Sequence, residues 1–185
     1  TALAGNIIVG DGRGTDILQI NANEQIADTA NVTLHGNTLG GGETKLVFGG
    51  TTSGISETFA SLTIEGTAVV DFAGGTVCSP NYLYLSALNI PSDGTLLIRN
   101  WIEFTDFLLV DSSVDLESVL PLIQFEGYPA DASFTAYDSH WNMIRPVPEP
   151  ATYGFMMMGA GLVLFGWRRW CRSGPAGRDK AAKLG

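Results

Sequence analysis

The stretch Leu62-Thr63-Ile64-Glu65, followed at once by Ala68-Val69-Val70-Asp71-Phe72, decides how this chain folds. In the first run Leu62 and Ile64 alternate with Thr63 and Glu65. Side chains on a strand point to opposite faces in turn, so this run has one apolar face and one polar face. Each run has the length of one short strand, and no helical period interrupts them.

The same pattern extends in both directions. Ile7-Ile8-Val9, Ile17-Leu18-Gln19-Ile20, Val32-Thr33-Leu34 and Lys45-Leu46-Val47-Phe48 precede it; Tyr82-Leu83-Tyr84-Leu85 and Leu96-Leu97-Ile98 follow. Between the runs lie turns such as Gly10-Asp11-Gly12, His35-Gly36-Asn37, Gly40-Gly41-Gly42, Gly49-Gly50, Gly74-Gly75 and Asp93-Gly94, where glycine makes a positive φ cheap. The expectation is an all-β fold: a right-handed parallel β-helix or solenoid with about 20 residues per coil. Stacked coils pair edge to edge and satisfy the backbone without a large globular core. A two-sheet β-sandwich is the alternative. Phe107-Leu108-Leu109-Val110 and Leu120-Pro121-Leu122-Ile123-Gln124-Phe125 read as closing strands, which bounds a body at 1–126. Residues 127–146 read as a spacer, with one further strand around Ser133–Tyr137.

The chain has 185 residues and a net charge of -9, and the charge is unevenly placed. Through Trp167 the cations are Arg13, Lys45, Arg99 and Arg145; six more, from Arg168 to Lys183, follow against Asp179. The body is therefore more acidic than the whole and repels phosphate backbones, which argues against nucleic acid as a partner. The chain opens on Thr1 without a basic and then apolar leader, so either a signal has been removed or this is a C-terminal piece. Cys78 and Cys171 show no metal-type spacing with His, and no cofactor is expected.

Ala151–Trp167 carries no ionisable charge. As a helix it would span roughly 25 Å, within the working range for one crossing of a bilayer. Trp167 and Trp170 sit where interfacial aromatics belong, and Arg168-Arg169 would stop transfer. This orients the body outside and the basic tail, 171–185, in the cytoplasm. Just before the span, Pro148 and Pro150 bracket Glu149 and hold the segment extended, the shape a membrane-embedded processing enzyme would read.

Two resemblances follow from these residues. Val9-Gly10-Asp11-Gly12-Arg13-Gly14-Thr15-Asp16-Ile17-Leu18, with Asn23–Leu34 and Ser56–Thr63, resembles the autotransporter-associated β-strand repeat of secreted bacterial passenger proteins, over about residues 5–101. That likeness implies a β-helical architecture and is almost silent on activity. Val147-Pro148-Glu149-Pro150, then an apolar span, then Arg168-Arg169, resembles the PEP-CTERM sorting signal over 147–170. This resemblance implies export, transient inner-membrane anchoring with the body in the periplasm, and processing by exosortase before release to the cell surface or outside. It also implies a setting of exopolysaccharide and biofilm. Carried over, Pro148, Glu149 and Pro150 would be the recognition motif, and Arg168 and Arg169 the retention charges. Here Trp170 to Gly185 follows the arginines, whereas such signals end close to them.

Candidate chemistry is sparse. Gly12-Arg13-Gly14-Thr15-Asp16-Ile17-Leu18 matches one copy of a calcium-binding nonapeptide, which makes Asp11 and Asp16 weak calcium candidates; such sites need stacked copies. His35 is isolated in a turn. Asp138, Ser139 and His140 are adjacent in sequence, and adjacent residues rarely converge as a triad. The reading is therefore a non-enzymatic surface or matrix protein, structural or adhesive. The alternatives are a glycan-active enzyme using Asp71, Glu103 and Arg99, and a carbohydrate-binding module using Tyr82, Tyr84 and Trp101.

Overall fold

The computed structural model describes residues 2–36, 41–49, 54–73, 79–129 and 132–147. The Gly74-Gly75 turn, Cys78, Pro148-Glu149-Pro150, the expected span Ala151–Trp167, Arg168-Arg169, Cys171 and the basic tail lie outside the described residues.

Fourteen strands are described: β1 (Asn6–Val9), β2 (Asp16–Ile20), β3 (Asn31–His35), β4 (Thr44–Phe48), β5 (Ser56–Phe59), β6 (Ser61–Glu65), β7 (Thr67–Asp71), β8 (Asn81–Leu85), β9 (Leu88–Asn89), β10 (Thr95–Arg99), β11 (Asp106–Asp111), β12 (Ile123–Phe125), β13 (Ala132–Ala136) and β14 (Trp141–Pro146). They form three sheets, ordered β1-β3-β6-β9, β12-β10-β7-β4-β2 and β13-β14-β11-β8-β5. From β3 to β11 the chain visits the three sheets in rotation, and all pairs among these strands are parallel. This is a β-solenoid; the sandwich alternative is excluded.

Alternation produces the core. Leu62 and Ile64 on β6 point inward and are fully buried, while Thr63 is only partly buried and Glu65 is exposed. The inward residues stack coil on coil: Val32 on Leu62 on Leu88, and Leu46 on Val70 on Ile98 on Phe125. Beyond the second sheet a column of rings climbs the core. Phe48 and Phe72 stack at 5.0 Å, Trp101 meets Phe72 edge-on at 5.7 Å, and Phe125 meets Trp101 at 5.2 Å.

The coils are longer than the expected 20 residues. Register partners Asn6 and Asn31 lie 25 residues apart, and Asn31 and Ser61 lie 30 apart. The surplus sits in the turns, which a solenoid tolerates because loop length costs little.

Two expectations about the end of the body change. Leu120–Leu122 is a turn of 3-10 helix, and only Ile123–Phe125 continues as strand. Pro121 cannot donate to a ladder, which delays the strand. Residues 127–146, expected as a spacer, carry the antiparallel hairpin β13–β14, and β14 pairs antiparallel with β11. One strand was expected there, around Ser133–Tyr137; its partner β14 was not. The physical reason is Ile144, fully buried opposite Leu108, which gives the hairpin an inward anchor.

Candidate functional site

The segment read as a sorting signal leaves the body from β14. Pro146, its last residue, is buried opposite Ala132, and Val147 is 38% exposed. Of the sorting residues, Val147 alone is described; Pro148, Glu149, Pro150, Arg168 and Arg169 lie outside. No helix among the described residues is long and apolar enough to cross a membrane.

The carbohydrate candidates separate. Trp101 is a core residue, 8% exposed within the ring column. Tyr82 and Tyr84 instead lie half-buried on the outer face of β8. They are joined by aromatics that sequence reasoning left out. Phe107 stacks on Tyr82 at 4.7 Å and 10°, Trp141 meets Tyr84 edge-on at 5.1 Å, and Tyr137 meets Phe107 at 5.8 Å. Tyr82 and Tyr84 lie 5.9 Å apart and nearly parallel. Burial pushes the phenols of Tyr82 and Tyr84 up, and Tyr137 adds to both shifts. The missed signal was register: Phe107 stands 25 residues after Tyr82, one coil on.

The glycan-cleaving candidates do share a region. Asp71 and Arg99 are register partners at the ends of β7 and β10, and Glu103 lies in the turn that follows β10. Arg99 is committed elsewhere. Its Nη1 and Nη2 donate to Glu43 at 2.8 and 2.6 Å, and its Nε donates to Glu126 at 3.1 Å. Asp71 accepts instead from Asn100 Nδ2 at 2.6 Å. Arg99, Lys45, Glu43 and Glu126 form an ion network, and Asp71 is hydrogen-bonded to Asn100 rather than to Arg99.

Asp11 Oδ1 accepts the Arg13 N–H at 2.9 Å, closing a turn. Asp16 begins β2, and its Oδ2 is buried without a hydrogen-bond partner among the described residues. No group of three His, Cys, Asp or Glu among the described residues is placed to hold a metal ion. His35 lies 4.0 Å from Glu65, its register partner. Asp138 Oδ1 accepts the N–H groups of His140 and Trp141 at 2.7 and 3.0 Å, and Ser139 Oγ lies 2.9 Å from His140 Nδ1. These groups shape the exposed turn between β13 and β14, and the Asp138 oxygen that closes the turn is bonded to backbone rather than to the imidazole.

The inward faces hold a buried polar set that sequence reasoning did not single out. Glu57, Asn81 and Asp106 are each almost fully buried. Glu57 accepts the N–H groups of Gln25 and Ile26 at 2.9 and 3.0 Å. Asn81 and Asp106 hydrogen-bond each other, and burial pushes the Asp106 carboxyl up to about 6. These contacts fasten turns of neighbouring coils.

Residues 146–169 match the PEP-CTERM protein-sorting motif. The motif marks an exported protein that is sorted at its C-terminus and held transiently in the membrane, and it implies processing by an exosortase, a membrane enzyme. No curated protein and no solved structure matches the chain. The described body and the motif together define a β-solenoid protein with a C-terminal sorting signal.

Proposed function

We propose that this chain is a surface or extracellular-matrix protein whose solenoid is a rigid structural or adhesive body without catalytic chemistry. Pro148, Glu149 and Pro150 present the recognition motif to the exosortase. Ala151–Trp167 lies in inner-membrane lipid, held by Arg168 and Arg169, with the body in the periplasm until cleavage frees it for the cell surface or its matrix, exopolysaccharide included. The likeness of the body to autotransporter passenger repeats belongs to the same reading.

The observation that carries it is the sorting motif beginning on Pro146, the last residue of the last solenoid strand. The test is mass spectrometry of the mature C-terminus from the producing cell. A cut near Pro150, lost on Glu149→Ala, is the expected result; a mature chain that still carries Ala151–Trp167 would defeat it.

A further inference from the structure

We propose that the outer face of the third sheet binds a neutral polysaccharide, with sugar rings seated on Tyr82 and Tyr84 above Ser56 and Thr58. This extends the contact role proposed above by naming a partner class.

The face departs from what water favours. The outer row of the first sheet is mostly polar, with Asn6, Thr33, His35, Ser61, Thr63 and Glu65 along it. On the third sheet the outward positions of β8 and the middle of β11 are Tyr82, Tyr84, Phe107 and Leu109, and Leu109 is fully buried although it points away from the core. Tyr137, 43% exposed, and Trp141 close over them from the hairpin. Aromatic rings left partly exposed on an outer sheet face offer apolar area to a ligand.

The rings are covered from one side. Phe107, one coil on, lies flat against Tyr82. On the opposite side the register partners are Ser56 for Tyr82 and Thr58 for Tyr84. Both are short, and no ring among the described residues stacks there. The result is a step from two nearly parallel tyrosine rings to two hydroxyl side chains on β5, a notch bounded on its far side by Asn23 and Glu24, which bond the Ser56 backbone.

This chemistry suits a pyranose. Its C–H face is apolar and lies against a ring, while its equatorial hydroxyls need donors and acceptors at the rim. Ser56, Thr58 and the phenols supply both. Charge selects against an anionic chain. The ion pairs among the described residues join Glu43, Lys45, Arg99 and Glu126, and His35 with Glu65, on the other two sheets and their turns; on the third sheet Arg145, outward on β14 opposite Ser133, is the one cation among that sheet's described strand residues. The body is acidic, so a polyuronate would be repelled.

The experiment is native electrophoresis of the full chain in non-ionic detergent, through gels containing hydroxyethyl cellulose or polygalacturonate. The wild type should be retarded by hydroxyethyl cellulose alone. Tyr82→Ala should weaken retardation about tenfold, as loss of one stacking face predicts. Thr58→Trp fills the notch from the outward face of β5 and should do the same while its thermal unfolding stays that of the wild type. If Tyr82→Ala does not fold, Thr58→Trp decides alone. Undiminished retardation of folded Thr58→Trp, no retardation of wild type by hydroxyethyl cellulose, retardation by polygalacturonate alone, or migration as a dimer in plain gels broken by Thr58→Trp would each overturn the proposal. C-terminal processing is read separately by mass, so failure here leaves the sorting reading standing.

Discussion

Asn81 and Asp106, one coil apart, share a buried hydrogen bond of 3.1 Å from Nδ2 to Oδ1. Each has a second commitment. Asn81 Oδ1 accepts the Ile55 N–H at 3.1 Å, and Asp106 Oδ2 accepts the Ile102 N–H at 2.8 Å. Two side chains therefore fasten turns from three successive coils. The cost is a carboxyl in the core.

That cost makes stability pH-dependent. Burial raises the Asp106 carboxyl from 3.8 to about 6, and its hydrogen bonds from Ile102 and Asn81 offset only part of the rise. The unfolded chain loses this proton near 3.8, the folded chain near 6, so stability falls as pH rises through that window. The loss is about 3 kcal/mol. Glu57, raised mainly by burial, adds a slope of the same sign. Asp106→Asn should flatten the Asp106 share of the dependence, read by urea unfolding from pH 4 to 7. It also loses one hydrogen bond, because its amide can satisfy Asn81 or Ile102 but not both. An unchanged slope would show that the carboxyl is solvated.

Glu57 does for the first coil what Asp106 does for the last. In that coil residues 21–30 run as turns, whereas β5 and β8 occupy the third-sheet position in the next two. Glu57 holds these turns through Gln25 and Ile26. Glu57→Ala should cost about 3 kcal/mol, since two amides lose their acceptor. Amide exchange supplies the local check: protection at Gln25 and Ile26 should fall more than at Leu62 or Leu96. Uniform loss across the body would point to general destabilisation instead.

Glycine at position 36 is a spacing requirement rather than a conformational one. Its N–H donates to Glu65 O at 2.6 Å, and a Cβ there would overlap the Thr67 backbone. Gly127, by contrast, faces open space and has a φ of 84°, so alanine there meets conformational strain alone. Gly36→Ala should cost about 3 kcal/mol, and Gly127→Ala about 1 kcal/mol. Equal thermal shifts for the two variants would contradict the close approach.

The solenoid was legible because parity along a short strand carries most of the information. Leu62 and Ile64 against Thr63 and Glu65 mark the inward face directly. The buried polar set was equally present in that parity: Glu57 alternates into register with Phe59, Asn81 with Leu83 and Leu85, and Asp106 with Leu108 and Val110. They were missed because a charged or amide side chain is by habit assigned to the outside. Trp101 was misassigned for the converse reason, since an aromatic in a turn says nothing of which side it faces. The hairpin was obscure because β14 alternates weakly, with Ile144 and Pro146 its buried residues, and its partner β11 lies 30 or more residues back in sequence. The extra residues in each coil were hidden in turns, such as 21–30, which have no period to count.

The surface network on Glu43 gives a test of opposite sign. Arg99 grips both carboxylate oxygens of Glu43, and Lys45 Nζ lies 2.6 Å from Oε2. Hydrogen bonds from Arg99 first, then from Lys45, hold the Glu43 carboxyl down at about 2. The folded state therefore binds its proton later than the unfolded chain, and the network's contribution, present above 4.5, is lost as pH falls through 2. Glu43 is 39% exposed, so solvent screens much of the attraction. Arg99→Lys keeps the charge but loses the two-pronged geometry and the reach to Glu126. It should cost less than about 1 kcal/mol in stability. The sharper readout is the Glu43 carboxyl itself, followed by carbon NMR, whose titration should move up toward 4.5 in the variant. A titration unmoved by Arg99→Lys would assign the low value to Lys45 and leave Arg99 as a partner of Glu126 alone.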